Sequence, residues 1–277
     1  MGMRIATNVS SLNAQRTLTT SQRNINKSNS QLSSGNRINS ASDDAAGLAI
    51  SEGLKSQIRS LGQASRNALD GMSLIQVAEG GLGEISNILT RMRELGIQAS
   101  SDTLGERERG YINLEIQQLK SESERIARTT RFGTQSLLDG EGRTYEIQVG
   151  TNNDEFQDRI SFDASDINAT VSSLGVEGLA FDSKEGAQES IMVLDEAQNR
   201  VNSFRANLGA LQNRFESTTA NLAVQNENIS AANSRIRDAD IAASSGEAAR
   251  NNILLQASTS VLAQANQQPA LALKMLS

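Results

Sequence analysis

Seven apolar residues in the last third of the chain recur every seven positions: Leu194, Val201, Leu208, Phe215, Leu222, Ile229 and Ile236. Sevenfold spacing puts side chains on one seam of a helix and asks for a partner helix. A helix through that stretch is about 65 Å long at the usual rise per residue. A fibre, a scaffold or a filament subunit has use for such a length; a globular enzyme rarely does. The only proline, Pro269, stands near the end, so nothing upstream removes an amide donor from a long helix.

The chain has no histidine, no cysteine and no tryptophan. The commonest general base, the commonest metal ligand and the thiol nucleophile are thus missing. No other pattern selects carboxylate or Ser/Lys chemistry. The reading is of a non-enzyme with no cofactor and no metal site. Gly80-Gly-Leu-Gly83 lacks the third glycine of a dinucleotide turn and the Lys-Ser/Thr of a phosphate loop.

Net charge is −6, unevenly spread. Residues 1–42 hold Arg4, Arg16, Arg23, Lys27 and Arg37 and no acid, and 241–277 hold only Glu247, Arg250 and Lys274. The two ends therefore sum to +6 and the middle carries −12. Residues 1–42 contain no aromatic, so the stacking that accompanies nucleic-acid binding is missing and no nucleic-acid partner is expected. No run of eighteen apolar residues exists, and no transmembrane segment is expected. The polar start from Met1 to Asn13 does not read as a secretory signal peptide.

Three oxygen-bearing residues, each followed three positions later by a carboxylate, precede periodic apolar runs: Ser40 with Asp43, Thr103 with Glu106, and Asp182 with Glu185. The pattern marks helix starts and predicts helices over about 43–100, 105–129 and 184–236. Gly53, Gly62, Gly71 and Gly80 recur by nine in the first of these; the spacing suits close helix approach or bending. Between 130 and 181, Tyr145, Ile147 and Val149 alternate with polar residues, as do Ile160 and Phe162. With turn residues between them, the two runs predict a half-buried hairpin.

The ends form a third region. Ile5 and Leu12 are seven apart, as are Leu18, Ile25 and Leu32. At the other end Leu254, Ala257, Val261 and Ala265 make one stripe, with Ile253, Leu255 and Leu262 beside it. A nearly uncharged helix that is apolar on more than one side wants cover on several faces. One N-terminal helix does not supply it, so neighbouring copies are expected to.

At this point the residues become recognisable. Met3-Arg-Ile-Ala-Thr-Asn-Val-Ser-Ser-Leu-Asn-Ala-Gln-Arg16 resembles the start of bacterial flagellins, as does the segment from Leu32 to Ile50. Leu208–Arg214, Ser234–Ala242 and Ser260–Gln268 resemble the other end. Tyr145–Asn152 is similar to the hairpin that tops the flagellin rod. The resemblance implies a mainly α fold: a long antiparallel helical rod or coiled coil with paired terminal helices and a small β-hairpin region. Residues 1–43 and 236–277 would line the inner tube of a filament. Residues 44–140 and 182–235 would form the rod, and 141–181 its cap.

The implied function is that of a structural subunit that polymerises into the flagellar filament, the propeller of swimming motility. Assembly would rest on Ile5, Val9, Leu12, Leu18, Ile25 and Leu32 at one end and on Leu254, Val261, Leu262 and Leu271 at the other. The implied location is extracellular, after type III export without a cleaved signal peptide. Besides its own copies, the implied partners are the flagellar cap protein, hook–filament junction proteins and a flagellin export chaperone. The stretch from Arg91 to Gln98 resembles the one read by a vertebrate Toll-like receptor, with Arg91, Leu95 and Glu115 at the recognised positions; Gly96 and Ile97 depart from the commoner Ala-Val. Two alternatives stay open: a hook–filament junction protein of the same apparatus and an intracellular coiled-coil scaffold.

Overall fold

The computed structural model describes residues 7–274, and the side chains of 7–267. Among them are five α-helices: α1 (Val9–Ser34), α2 (Ala45–Ala99), α3 (Glu106–Thr129), α4 (Lys184–Arg237) and α5 (Ile241–Lys274). Four strands lie between α3 and α4: β1 (Arg131–Phe132), β2 (Gln135–Ser136), β3 (Thr144–Gln148) and β4 (Arg159–Asp163). The chain divides into two compact units, 1–57 with 228–277, and 58–227.

The unit of 58–227 is a heptad-built helical core. Along α2, the positions from Leu61 to Ala99 that alternate in steps of three and four are all buried. That spacing keeps one narrow stripe facing inward over the whole length. On α4 the same rhythm buries Ala187, Ser190, Leu194, Ala197 and Val201, then Leu208, Phe215 and Leu222. The two helices run antiparallel, as three cross-links show. Arg93 meets Asp195 at 2.6 Å, Gln198 donates to Ser86 Oγ at 2.6 Å, and Arg205 lies 3.6 Å from Glu79. The chain turns back from α2 into α3 through the buried Arg109, which donates to the carbonyls of Ala99 (2.9 Å) and Ser101 (3.0 Å). A guanidinium there meets the orphan carbonyls and the negative end of α2's dipole.

β3 and β4 pair antiparallel with Tyr145 opposite Phe162 and Ile147 opposite Ile160, as the alternation predicts. Ile160 and Phe162 are buried, and the Tyr145 and Phe162 rings stack with centroids 6.0 Å apart. The hairpin lies against the helices. Asn67 donates to the Gln148 carbonyl at 3.0 Å, and Ile147 reaches the backbone of Gly71. The loop that follows is pinned to α3. The buried Lys120 donates to the Glu177 carbonyl at 2.5 Å, and Glu124 accepts from the Val171 amide at 2.9 Å. The β1–β2 hairpin is an addition that the sequence reading missed; it turns at Gly133, whose φ of 63° suits glycine.

The helix starts need correction by a residue or two. Asp43 does bond back to Ser40, but in a closed turn; the cap of α2 is Asp44, which accepts from the Gly47 amide at 2.9 Å. Gly105 rather than Thr103 precedes α3 and offers no side-chain cap. Ser183 caps α4 by accepting from the Gly186 amide at 3.1 Å. Asp182 instead accepts from Asn113 at 2.8 Å.

In the other unit, α1 and α5 pair along their length. They run antiparallel, since Asn8 Nδ2 donates to the Ala265 carbonyl at 2.8 Å while the Ala239 amide donates to the Gly35 carbonyl at 2.9 Å. At the second of these ends the chain is stitched tightly. Gly35 closes α1 in the left-handed conformation. The Arg37 amide donates to the Arg237 carbonyl and the Arg37 guanidinium to the Ile236 carbonyl, both at 2.6 Å. Ile38, 2% exposed, is the buried anchor of the link between α1 and α2.

Candidate functional site

The α1–α5 pair has two kinds of face. On α1 the buried side runs Ala14, Ser21, Ile25 and Ser28, with Leu18 and Leu32 half-buried between and after them. On α5 it runs Ala248, Ser258 and Ala265, with Leu255 and Leu262 half-buried. Both series step by three and four, the signature of a coiled-coil seam. Half of the seam positions are Ala or Ser, which bring helices close but remove little apolar area from water. A fully buried Leu or Ile contributes about 1.5–3 kcal/mol; the seam holds few of them.

The outer faces hold the larger apolar side chains. Val9 is 58% exposed, Leu12 53%, Leu254 43% and Val261 55%, and Ile253 lies open beside them. Ile241 on α5 and Ile50 at the start of α2 are exposed as well. The sequence reading did not single out Ile50 or Ile241, because neither belongs to a repeating stripe.

The ten residues expected to carry assembly therefore fall into different settings. Ile25 is buried in the seam, and Leu18, Leu32 and Leu262 are half-buried there. Val9, Leu12, Leu254 and Val261 face solvent. Ile5 and the side chain of Leu271 lie outside the described residues. The single stripe read from Leu254 to Ala265 is split by the structure: Ala265 belongs to the seam, and Leu254 and Val261 to the open side.

The electrostatics of this unit centre on the turn before α2. Asp43 Oδ1 lies 3.2 Å from Lys27 Nζ, and Oδ2 accepts from the amides of Asn39 and Ser40. The bond from Lys27, followed by that from the Ser40 amide, holds the Asp43 carboxyl below the usual aspartate range. Arg237 donates to Glu52 at 2.5 Å, and the fully buried Ser51 donates to Asn233 at 2.9 Å. Asp238 accepts from Ser234, and Asp240 caps α5 through the Ala243 amide. These acids are engaged with the protein, and no cluster able to hold a metal exists among the described residues.

The second set of sequence-derived residues lies in the other unit. Arg91 is exposed and donates to Glu115 at 3.0 Å and to Glu94 at 3.1 Å. Those bonds, Glu115 first, raise the Arg91 guanidinium above its ordinary value. Leu95, by contrast, is 2% exposed and part of the core. The structure thus brings Arg91 and Glu115 together at the surface and keeps Leu95 inside.

A family model described as the bacterial flagellin N-terminal helical region matches residues 5–143, and the model of the bacterial flagellin C-terminal helical region matches 191–276. The chain belongs to the bacterial flagellin family. It is 47% identical over 269 residues to a flagellin of Halalkalibacterium halodurans, covering 97% of this chain and 98% of that one. It is 41% identical over 280 residues to a flagellar filament 33 kDa core protein of Treponema phagedenis, covering 97% and 98%. The crystal structure of Bacillus cereus flagellin matches 61% of this chain and 94% of its own, with a TM-score of 0.51 at 34% identity. A hook-associated protein from Vibrio parahaemolyticus, at 14% identity and a TM-score of 0.60, shares the fold alone. Flagellins are structural proteins, and this one is a subunit that polymerises into the flagellar filament.

Proposed function

We propose that the outer faces of α1 and α5 are the surfaces on which one copy meets the next. The single observation that carries this reading is the exposure of Val9, Leu12, Leu254 and Val261 on a helix pair whose own seam is thin. Isolated apolar residues on a surface need no explanation, but stripes on both members of one pair mark an interaction site. Each stripe meets a different surface on its neighbour, so the contact does not close and growth continues as a helix. In this reading 1–43 and 236–277 line the inner tube of the filament, 44–140 with 182–235 form the rod outside it, and 141–181 caps the rod.

The filament stands outside the cell, and the chain reaches it by type III export. A helix pair with so little burial of its own unfolds readily for passage through a narrow channel. The cap protein, the junction proteins and an export chaperone are the other partners of this route. The exposed Arg91–Glu115 pair is the part of the chain offered to a Toll-like receptor, with Leu95 acting from beneath as packing. Loss of signal for Arg91→Ala in a receptor reporter cell tests that part.

The test of the main reading is a truncation that ends at Ile253. It is expected to remain a folded, soluble rod that forms no filament in electron micrographs, even with seeds. Normal filaments from it would overturn the assignment of these faces.

A further inference from the structure

We infer that Arg16 and Arg23 form a cationic continuation of the α1 assembly face, and that its occupant is the acidic 58–227 unit of a second copy. The inference rests on the reading that the outer face of α1 meets neighbouring subunits. Val9, Leu12, Arg16 and Arg23 are separated by three, four and seven residues, so they share one side of the helix, away from Ala14, Ser21 and Ser28. Both arginines are exposed. Neither has an ion-pair partner among the described residues, whereas Lys27 on the same helix is held by Asp43. α1 itself carries no acid at all.

Charge says what such a surface meets. The unit of 1–57 with 228–277 contains ten basic and six acidic side chains, and the unit of 58–227 contains sixteen basic and 26 acidic. The two units thus carry +4 and −10. Copies of net charge −6 repel one another unless they dock basic unit to acidic unit. In the acidic unit Asp70, Glu84 and Glu216 are exposed and have no ion pair among the described residues. They are free to receive a guanidinium from outside. A nucleic-acid partner fits less well, since the two free arginines stand about 10 Å apart on a helix without an aromatic. Complementary charge of this kind speeds encounter and sets orientation more than it adds affinity. The arginine stripe therefore steers an incoming subunit onto the growing end, and the apolar stripe beside it holds the subunit there.

The experiment measures elongation from wild-type filament seeds by full-length wild type, R16E/R23E, R16K/R23K and V261D. Salt is raised from about 0.1 M to about 1 M, over which the screening length falls from about 10 Å to about 3 Å. R16E/R23E is expected to elongate roughly tenfold more slowly than wild type at low salt and to approach it at high salt, while R16K/R23K stays close to wild type throughout. Circular dichroism of the monomers checks that the helices are unchanged. Equal rates for R16E/R23E and wild type at low salt, or a defect of the same size at high salt, would overturn the steering role. V261D separates the two readings: normal growth of V261D removes the apolar assembly face itself. Loss of growth in V261D with normal R16E/R23E removes the cationic surface alone.

Discussion

A Cβ placed on Gly71 would lie 2.9 Å from Cζ of Phe215, so glycine at 71 is what lets the phenyl ring seat against α2. Both residues are buried on facing helices, and Ile147 of the hairpin closes on the same spot at 3.2 Å. Helix, helix and hairpin therefore meet at one position where an added side chain would have to displace the Phe215 ring and Ile147.

Gly71→Ala is expected to destabilise the 58–227 unit by about 1–3 kcal/mol, the usual cost of overpacking a core. Gly53 and Gly80 share the ninefold spacing but face open space. Gly53→Ala and Gly80→Ala are expected to stabilise by up to about 1 kcal/mol through helix propensity alone. Urea unfolding of the three variants separates these outcomes.

The heptad from Leu194 to Ile236 is uniform in sequence and graded in structure. The first five members are buried, and Ile229 and Ile236 are only half-buried. Phe215→Ala should cost about 3–5 kcal/mol, and Ile236→Ala no more than about 1–2 kcal/mol because less apolar area leaves water. Equal losses in thermal or denaturant unfolding would show that the last two turns are more sheltered than this.

That gradient shows what the sequence could and could not convey. Periodicity locates long helices well, because a stripe that repeats by seven has one geometric meaning. It also located β3 and β4, whose alternation is unbroken from Thr144 to Gln148 and Arg159 to Asp163. It says less about caps: Asp43 and Asp44 carry the same chemistry one position apart, and only the turn closed on Ser40 decides between them. Thr103 is drawn off by Ser101, whose hydroxyl lies 2.8 Å away. The β1–β2 hairpin spans two residues a strand, too few to alternate. The seam of α1 and α5 was legible only in part: Leu18, Ile25 and Leu32 show by their spacing of seven, whereas Ala14 is too small and Ser21, Ser28 and Ser258 too polar to mark a stripe. Leu95 entered the recognition set by resemblance alone, and a resemblance carries no burial: the residue is 2% exposed.

Asp43 gives a pH prediction with a definite sign. Its carboxyl is held below the ordinary aspartate value by Lys27 and then by Ser40. The unfolded chain, with a pKa of about 3.9, binds the proton more readily than the folded one. The stabilisation is fully present above that unfolded value and is lost as pH falls through the lowered folded one. Acid titration of the α1–α5 unit should therefore show a loss of stability below about pH 4 that is reduced in Asp43→Asn. An identical acid profile for the variant would count against this turn as a source of stability.

The central claim is that α1 and α5 carry apolar faces that a single copy leaves open and the polymer covers. Amide hydrogen exchange on monomer and filament, read separately for 9–34 and 241–267, tests it most directly. The account predicts fast exchange of both segments in the monomer, where the thin seam opens readily, and protection higher by orders of magnitude in the filament. The segment 61–99 should change far less, since its core is complete in one copy. Equal protection of α1 and α5 in the two states would contradict the account.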